Sequence, residues 1–205
     1  MTKIAAIAAA VVAVIAVITI AAMTILPRSD DQFASCRSTA VAGSASLGGP
    51  FELLDSEGRT VTDKDIITEP TLIYFGYTYC PDVCPLDADR NATAVDILAE
   101  RGLSVTPVFI SIDPARDTPQ VVGEFADNMH DKMIGLTGSP EQVKAASTAY
   151  RTYYNAHKAG DDEYLVDHST FSYLVLPETG FVEFFRRELP PEDLADKIGC
   201  FVDKI

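Results

Sequence analysis

Two cysteines stand four residues apart in this sequence, at the end of a long apolar run. Cys80 directly follows the run 71–79, and Cys84 comes four residues later. Side chains at positions i and i+4 lie on the same side of a helix, so these two sulfurs could bind one metal ion or close a disulfide. A helix N-terminus favours the thiolate, which is the form that binds metals and attacks disulfides. The pair therefore predicts a metal site or a redox site.

The spacing of the pair and a distant histidine favour the metal site. Dithiol oxidoreductases commonly have two residues between their cysteines, whereas three intervene here, which suits two sulfurs that share a metal. The candidate third ligand is His168, expected in the loop before the strand that neighbours the cysteine turn, with Asp167 fixing the tautomer of its ring. A histidine that only caps a strand end is the alternative.

The nature of these three ligands indicates copper. Two soft thiolates and one imidazole suit copper(I), and the affinity order also favours copper(II) over zinc at such a site. Zinc would need a fourth ligand, which Asp82, Asp167 or water would have to supply.

Hydrophobic patterning predicts alternating strands and helices around the cysteine turn. The runs 71–79 and 104–112 are typical of buried strands, and a helix at 87–100 joins them into a β-α-β unit. The remaining predicted elements are hairpins at 51–62 and 171–185, a strand at 134–137, and helices at 120–129, 139–150 and 190–202. The pattern predicts an α/β protein with a thioredoxin-like fold, an N-terminal β-hairpin and an inserted helix and loop. Such sheets bind ligands at the carboxyl ends of their strands, where the cysteines lie.

Two further polar segments have structural explanations. In the segment 113–119, Asp117 or Thr118 is a good N-cap and Pro119 a good first residue for the next helix, which leaves a role for Arg116 open. His157 lies in the polar stretch 155–163 and is expected to be a solvent-exposed loop residue.

The amino-terminal region predicts a membrane anchor. Residues 4–26 are apolar except for Thr19 and Thr24, and at ~1.5 Å per residue they can span a hydrocarbon layer of ~30 Å. A cleaved signal peptide is the weaker alternative, because its apolar core is typically only ~7–15 residues long. We expect a transmembrane anchor at 1–26, a flexible tether at 27–48 and a domain at 49–205, with the domain outside the cytoplasm.

The net charge excludes some classes of partner, and the other two cysteines suggest a disulfide. The chain carries a net charge of −14, which argues against nucleic acid or an anionic membrane surface as a partner. In an oxidising compartment Cys36 and Cys200 could form a disulfide between the tether and the last helix. A free thiol in the tether and a buried apolar cysteine in the helix are the alternatives.

Three segments, in order, resemble the signatures of the Sco/SenC family of copper-delivery proteins: 76–85 (GYTYCPDVCP), 113–119 (DPARDTP) and 166–169 (VDHS). The resemblance covers about residues 49–200. It implies a thioredoxin-like domain that binds copper through Cys80, Cys84 and His168, with Asp167 supporting the histidine. Tyr79 stands where many relatives have histidine or phenylalanine, so no role of a histidine there carries over.

The resemblance also implies a function and a place in the cell. The family assists assembly of the dinuclear copper site of cytochrome c oxidase, so the expected partners are the oxidase's copper-binding subunit and other copper donors. The expected location is the inner membrane, with the domain in the periplasm. The alternative is a thiol-disulfide reductase that uses Cys80 and Cys84 as its redox pair on the cysteines of that subunit. A peroxiredoxin-like peroxidase is disfavoured, because it needs a single peroxidatic cysteine.

Overall fold

The structure is a computed structural model of the 205-residue chain, and it describes Ile15 and residues 31–37, 47–157 and 164–205. The chain divides into two compact units, Met1–Ser35 and Cys36–Ile205. Apart from Ile15, the predicted transmembrane helix lies outside the described residues, and so does most of the predicted tether. Within the part of the chain that is described, no helix is both long and apolar enough to cross a membrane.

Nine strands and five helices are described in the second unit. In chain order they are β1 (Glu52–Leu54), β2 (Thr60–Thr62), α1 (Asp63–Ile66), β3 (Thr71–Gly76), α2 (Val83–Glu100), β4 (Thr106–Ser111), α3 (Pro119–Met129), β5 (Ile134–Leu136), α4 (Pro140–Ala149), β6 (Tyr154–Ala156), β7 (Val166–His168), β8 (Ser172–Leu176), β9 (Gly180–Phe185) and α5 (Pro191–Val202).

A five-stranded sheet with the order β5-β4-β3-β8-β9 forms the centre of the unit. β3 is parallel to β4 and antiparallel to β8, and all six of its residues are buried. This position explains its continuous apolar and aromatic sequence, because a central strand covered on both faces has no solvent side. The order and directions of β4, β3, β8 and β9 are those of the predicted thioredoxin-like α/β fold.

Local capping signals place the helices close to where the sequence predicts them. The Thr118 side chain accepts a hydrogen bond from the Val121 amide at the start of α3, and Ser139 forms a capping box with Gln142 at the start of α4. α2 begins at Val83 rather than at the predicted residue 87. The proline at position 85 does not prevent this, because the amides of the first helical turn have no partner within the helix.

A short hairpin was missed by the sequence prediction. β6 and β7 pair antiparallel, with Tyr154 opposite His168, and they form a sheet of their own. The sequence prediction placed residues 155–163 and His168 in loops. It was wrong for residues 155 and 156, which belong to β6, and for His168, which ends β7. Strands of three residues are too short to show an alternating hydrophobic pattern. His157 lies just beyond β6 and is exposed, as predicted.

The two remaining cysteines form a disulfide. Cys36 is bonded to Cys200 of α5, with their Cα atoms 5.6 Å apart. The hypothesis of a bond between the predicted tether and the last helix is thus confirmed, and both alternatives are wrong. Because α5 packs against α2, this bond fixes the start of the second unit to the helix pair beside the cysteine turn.

Candidate metal centre

The cysteine turn lies between the central strand and the helix that follows it. Cys80 comes four residues after the end of β3, and Cys84 is the second residue of α2. The Cys84 amide donates a hydrogen bond to the Cys80 sulfur at 3.3 Å, so the Cys80 sulfur lies where the first helical amides point. Both thiols are free and buried. This is the arrangement at a helix N-terminus that the spacing predicted.

His168 brings the third candidate ligand to the pair. It is the last residue of β7, and its Nε2 lies 3.3 Å from the Cys84 Sγ. The ligand atoms of Cys80, Cys84 and His168 all lie within 4.8 Å of one another. Residues 84 positions apart in the sequence thus form one compact cysteine–cysteine–histidine group. Asp82 and Asp167 do not belong to it.

A backbone carbonyl, and not Asp167, orients the histidine ring. Nδ1 of His168 donates to the carbonyl oxygen of Ser169 at 2.9 Å, which leaves the Nε2 lone pair directed at the sulfurs. Asp167 instead contacts Nε2 of His157 at 2.6 Å. The expected contact between Asp167 and His168 is wrong because neighbouring residues of a strand point to opposite faces.

Two tyrosines enclose the ring of His168. Its centroid lies 6.2 Å from that of Tyr74 and 5.8 Å from that of Tyr77, and both pairs are close to perpendicular. The Tyr74 hydroxyl donates to the buried carboxylate of Asp87 at 2.9 Å. The two tyrosine rings therefore hold the imidazole in place, with its Nε2 facing the sulfurs. Tyr74 and Asp87 were not identified as part of the site from the sequence.

The two thiols have opposite electrostatic environments. A hydrogen bond from the Cys84 thiol, helped by His168 and by backbone amides, lowers the pKa of Cys80 to about 3 although burial opposes the shift. The hydrogen bond to Cys80 and burial raise the pKa of Cys84 well above its usual range. Without metal, these environments favour a thiolate at Cys80 and a protonated thiol at Cys84.

Asp117 holds the cysteine turn against the neighbouring strand. Its buried carboxylate accepts hydrogen bonds from the Thr78 amide at 3.0 Å, the Thr78 hydroxyl at 2.6 Å and the Ser111 hydroxyl at 2.5 Å. Helix capping therefore explains Thr118 but not Asp117. Thr78 is two residues from Cys80, so the segment 113–119 supports the site from the adjacent loop.

Gly76 allows the close approach of strand and helix at the site. A Cβ atom at this position would lie 3.0 Å from the Cys84 Sγ and 2.9 Å from ring atoms of Tyr74 and Phe109. Any larger residue would push the sulfur or the rings away. The sequence contains this glycine in the motif, but only the packing shows why a side chain cannot be accommodated.

A cleft of about 300 Å³ opens beside the sulfurs. Cys80, His168 and Asp82 line it together with Leu165, which is 57% exposed. Cys84 is fully buried, so an incoming group reaches the centre from the side of Cys80 and His168. The arrangement can hold a soft metal ion and leaves one side open to other ligands.

Comparisons with known proteins identify the family of the chain. The SCO1/SenC family model matches residues 39–203. Protein SenC of Rhodobacter capsulatus is 56% identical over 204 residues, covering 100% of this chain and 92% of that protein. The mitochondrial SCO1 homolog 1 of Arabidopsis thaliana is 46% identical over 158 residues, covering 77% of this chain but only 47% of that protein.

Solved structures share the fold. The crystal structure of Arabidopsis thaliana ScoI with copper bound matches with a TM-score of 0.72 and 44% identity, covering 76% of this chain and 98% of that one. Yeast Sco1 with copper bound matches with a TM-score of 0.72 and 39% identity, covering 78% and 90%. The chain therefore belongs to the SCO1/SenC family.

Proposed function

We propose that this protein is a membrane-anchored copper chaperone that binds copper through Cys80, Cys84 and His168. In this function it assists assembly of the dinuclear copper site of cytochrome c oxidase. The observation that carries the proposal is the compact cysteine–cysteine–histidine group in a chain similar to Sco proteins solved with copper bound.

The donor set suits copper as a cargo. Sulfur and imidazole ligands are soft, and soft ligands select copper(I) over the hard cations. The lowered pKa of Cys80 favours its thiolate, and the Nε2 lone pair of His168 is directed at the sulfurs. Only Cys84 must lose a proton for all three groups to bind, so we expect binding to release a proton.

Delivery by ligand exchange follows from the open side of the site. The cleft reaches Cys80 and His168, so sulfur ligands of a recipient could bind the copper ion before all three ligands of this chain have dissociated from it. The recipient in this proposal is the copper-binding subunit of the oxidase, and other copper proteins act as donors. The apolar segment 4–26 is the proposed anchor, with the domain in the periplasm. The Cys36–Cys200 disulfide supports an oxidising compartment.

A copper titration with two histidine variants tests the proposal. In the full-length protein with reduced cysteines, His168→Ala should weaken copper(I) binding at least about tenfold, as loss of a direct ligand. His157→Ala is the matched control. His157 lies just beyond β6 of the same hairpin, but its Nε2 is hydrogen-bonded to Asp167 and does not face the sulfurs. Equal affinities of His168→Ala and the unmodified protein would contradict the assignment of the third ligand.

The second candidate function is a thiol-disulfide reductase. The observation that favours it is the pairing of a low-pKa thiolate at Cys80 with a protonated thiol at Cys84, because the thiolate is the attacking form. The same variant separates the two functions. His168→Ala should retain most of the reduction of a disulfide in the recipient if this is the main activity, because the hydrogen bond from Cys84 is the larger cause of the lowered pKa of Cys80.

A further inference from the structure

The three candidate ligands lie on two parts of the fold that are anchored differently. Cys80 and Cys84 connect the central strand β3 to α2, whereas His168 ends β7 in the β6–β7 hairpin. Among the described residues, that hairpin shares no strand pairing with the five-stranded sheet. The position of His168 relative to the sulfurs therefore depends on the short connection 169–171 to β8 and on side-chain contacts between the hairpin and the rest of the unit.

Three residues make such a connection, and we call Asp113, Arg116 and Tyr164 the latch. Tyr164 lies two residues before β7, and its hydroxyl donates to Oδ1 of Asp113 at 2.6 Å. The other carboxylate oxygen of Asp113 accepts from Nε of Arg116 at 2.6 Å. The guanidinium carbon of Arg116 lies 3.7 Å from the centre of the Tyr164 ring. Each member thus contacts the other two, and only Tyr164 belongs to the histidine side.

The surroundings of the latch strengthen these contacts. The Asp113 and Arg116 side chains are only 4% and 13% exposed, and charged hydrogen bonds and cation–π contacts gain strength when water is excluded. Burial and the hydrogen bond to Asp113 raise the pKa of Tyr164 to about 12, so its hydroxyl remains a donor at neutral pH. Arg116 also lies 4.7 Å from the ring of Tyr79, which is 56% exposed and adjacent to Cys80.

We infer that the latch determines how long His168 remains bound to the copper cargo, and so sets the rate at which copper is released. This inference rests on the proposed function. Neither Tyr164 nor Arg116 belongs to the ligand group. Their role in this inference is to position His168. With the latch intact, Tyr164 holds the start of β7 against the loop that follows β4. Without it, His168 can move away from the sulfurs and leave copper on the two cysteines alone.

Copper release from the full-length protein tests the inference. The protein is loaded with one equivalent of copper(I), and transfer to an excess of a coloured copper(I) chelator is followed in time. Tyr164→Phe keeps the ring over Arg116 and removes one hydrogen bond to a buried carboxylate, so we expect release about tenfold faster. Arg116→Lys keeps the charge but not the planar stacking, and it should also speed release.

Arg101→Lys is the matched control for these variants. It makes the same change in an ion pair with Asp196 at the opposite end of α2 from Cys84, so its release rate should match that of the unmodified protein. The midpoint potential of Cys80 and Cys84 in the metal-free protein should be the same in Tyr164→Phe as in the unmodified protein. A general disturbance of the site would move that potential.

A double-variant cycle with His168→Ala decides whether the latch acts through the histidine. Two cysteine ligands remain in His168→Ala, so release can still be timed. If the latch works by positioning His168, adding Tyr164→Phe to His168→Ala causes no further acceleration. Equal acceleration in both backgrounds, or none in the single variant, overturns the inference. If His168→Ala itself released copper no faster than the unmodified protein, the assignment of His168 as a ligand would fail instead.

Discussion

The cysteine side and the histidine side of the candidate site are held in place by different kinds of interaction. The cysteines follow a fully buried strand that is hydrogen-bonded on both sides, and Asp117 fixes their turn with three hydrogen bonds. His168 lies on a half-exposed hairpin of two three-residue strands. Contacts of Tyr77 and Tyr164 connect that hairpin to the rest of the unit.

This difference separates stability from metal retention. Strand pairing and core packing on the cysteine side contribute to folding as a whole, so changes there should lower stability. The hairpin consists of two three-residue strands that are only partly buried, and such regions can open locally without global unfolding. Changes on the histidine side should therefore alter the binding and release of copper more than they alter the free energy of unfolding.

The largest expected effect on stability comes from the disulfide. Cys36 and Cys200 are 164 residues apart, and a crosslink over so long a loop contributes about 5 kcal/mol in the chain-entropy model. Replacing both with alanine should lower the free energy of unfolding by that order, measured by denaturant titration. Copper affinity should not change, because neither residue contacts the site.

The matched control for this prediction removes the other two cysteines. A variant with Cys80→Ala and Cys84→Ala should lose copper binding completely while losing much less stability. If the variant without Cys36 and Cys200 also lost copper affinity under conditions where it is folded, the disulfide would help to hold the site in place. Stability and metal retention would then not be separate.

An intermediate effect is expected at Asp117, which supports the cysteine turn. Asp117→Ala leaves the Thr78 amide and the hydroxyls of Thr78 and Ser111 without their acceptor, at a cost of about 3 kcal/mol. Copper affinity should fall as well, because Thr78 is two residues from Cys80. Both quantities can be measured by denaturant and copper titrations of the same preparation.

Thr118→Ala provides the comparison for that variant. Its side chain only caps α3, and loss of a cap typically costs about 1 kcal/mol. The copper affinity of Thr118→Ala should equal that of the unmodified protein. Similar losses in the two variants would indicate that Asp117 stabilises the helix rather than the turn.

The parts of the fold that were predicted correctly depend on neighbours in the sequence. The continuous apolar run identifies β3, and the capping residues Thr118 and Ser139 with their following prolines identify α3 and α4. The cysteine pair and His168 were recognised because their residue types are characteristic of metal ligands. These features need no knowledge of the tertiary structure.

The features that were missed depend on contacts between distant residues or on the backbone. Asp117 was assigned as a possible cap because Pro119 is nearby, but its partners Thr78 and Ser111 lie on other elements. The carbonyl of Ser169 orients His168, and a backbone group leaves no signal in residue types. Asp167 could have been excluded had His168 been assigned to a strand, where neighbouring side chains point in opposite directions.

The smallest expected effect is at Tyr77, which joins the two sides directly. Its hydroxyl accepts a hydrogen bond from the Val166 amide of β7 at 3.3 Å. Tyr77→Phe should lower the free energy of unfolding by about 1 kcal/mol and speed copper release less than Tyr164→Phe does. Tyr150→Phe is the control, since this equally buried tyrosine packs between Phe75 and Tyr173. If Tyr77→Phe lowered stability without changing copper release, this contact would not help to position His168, and the latch alone would connect the hairpin to the site.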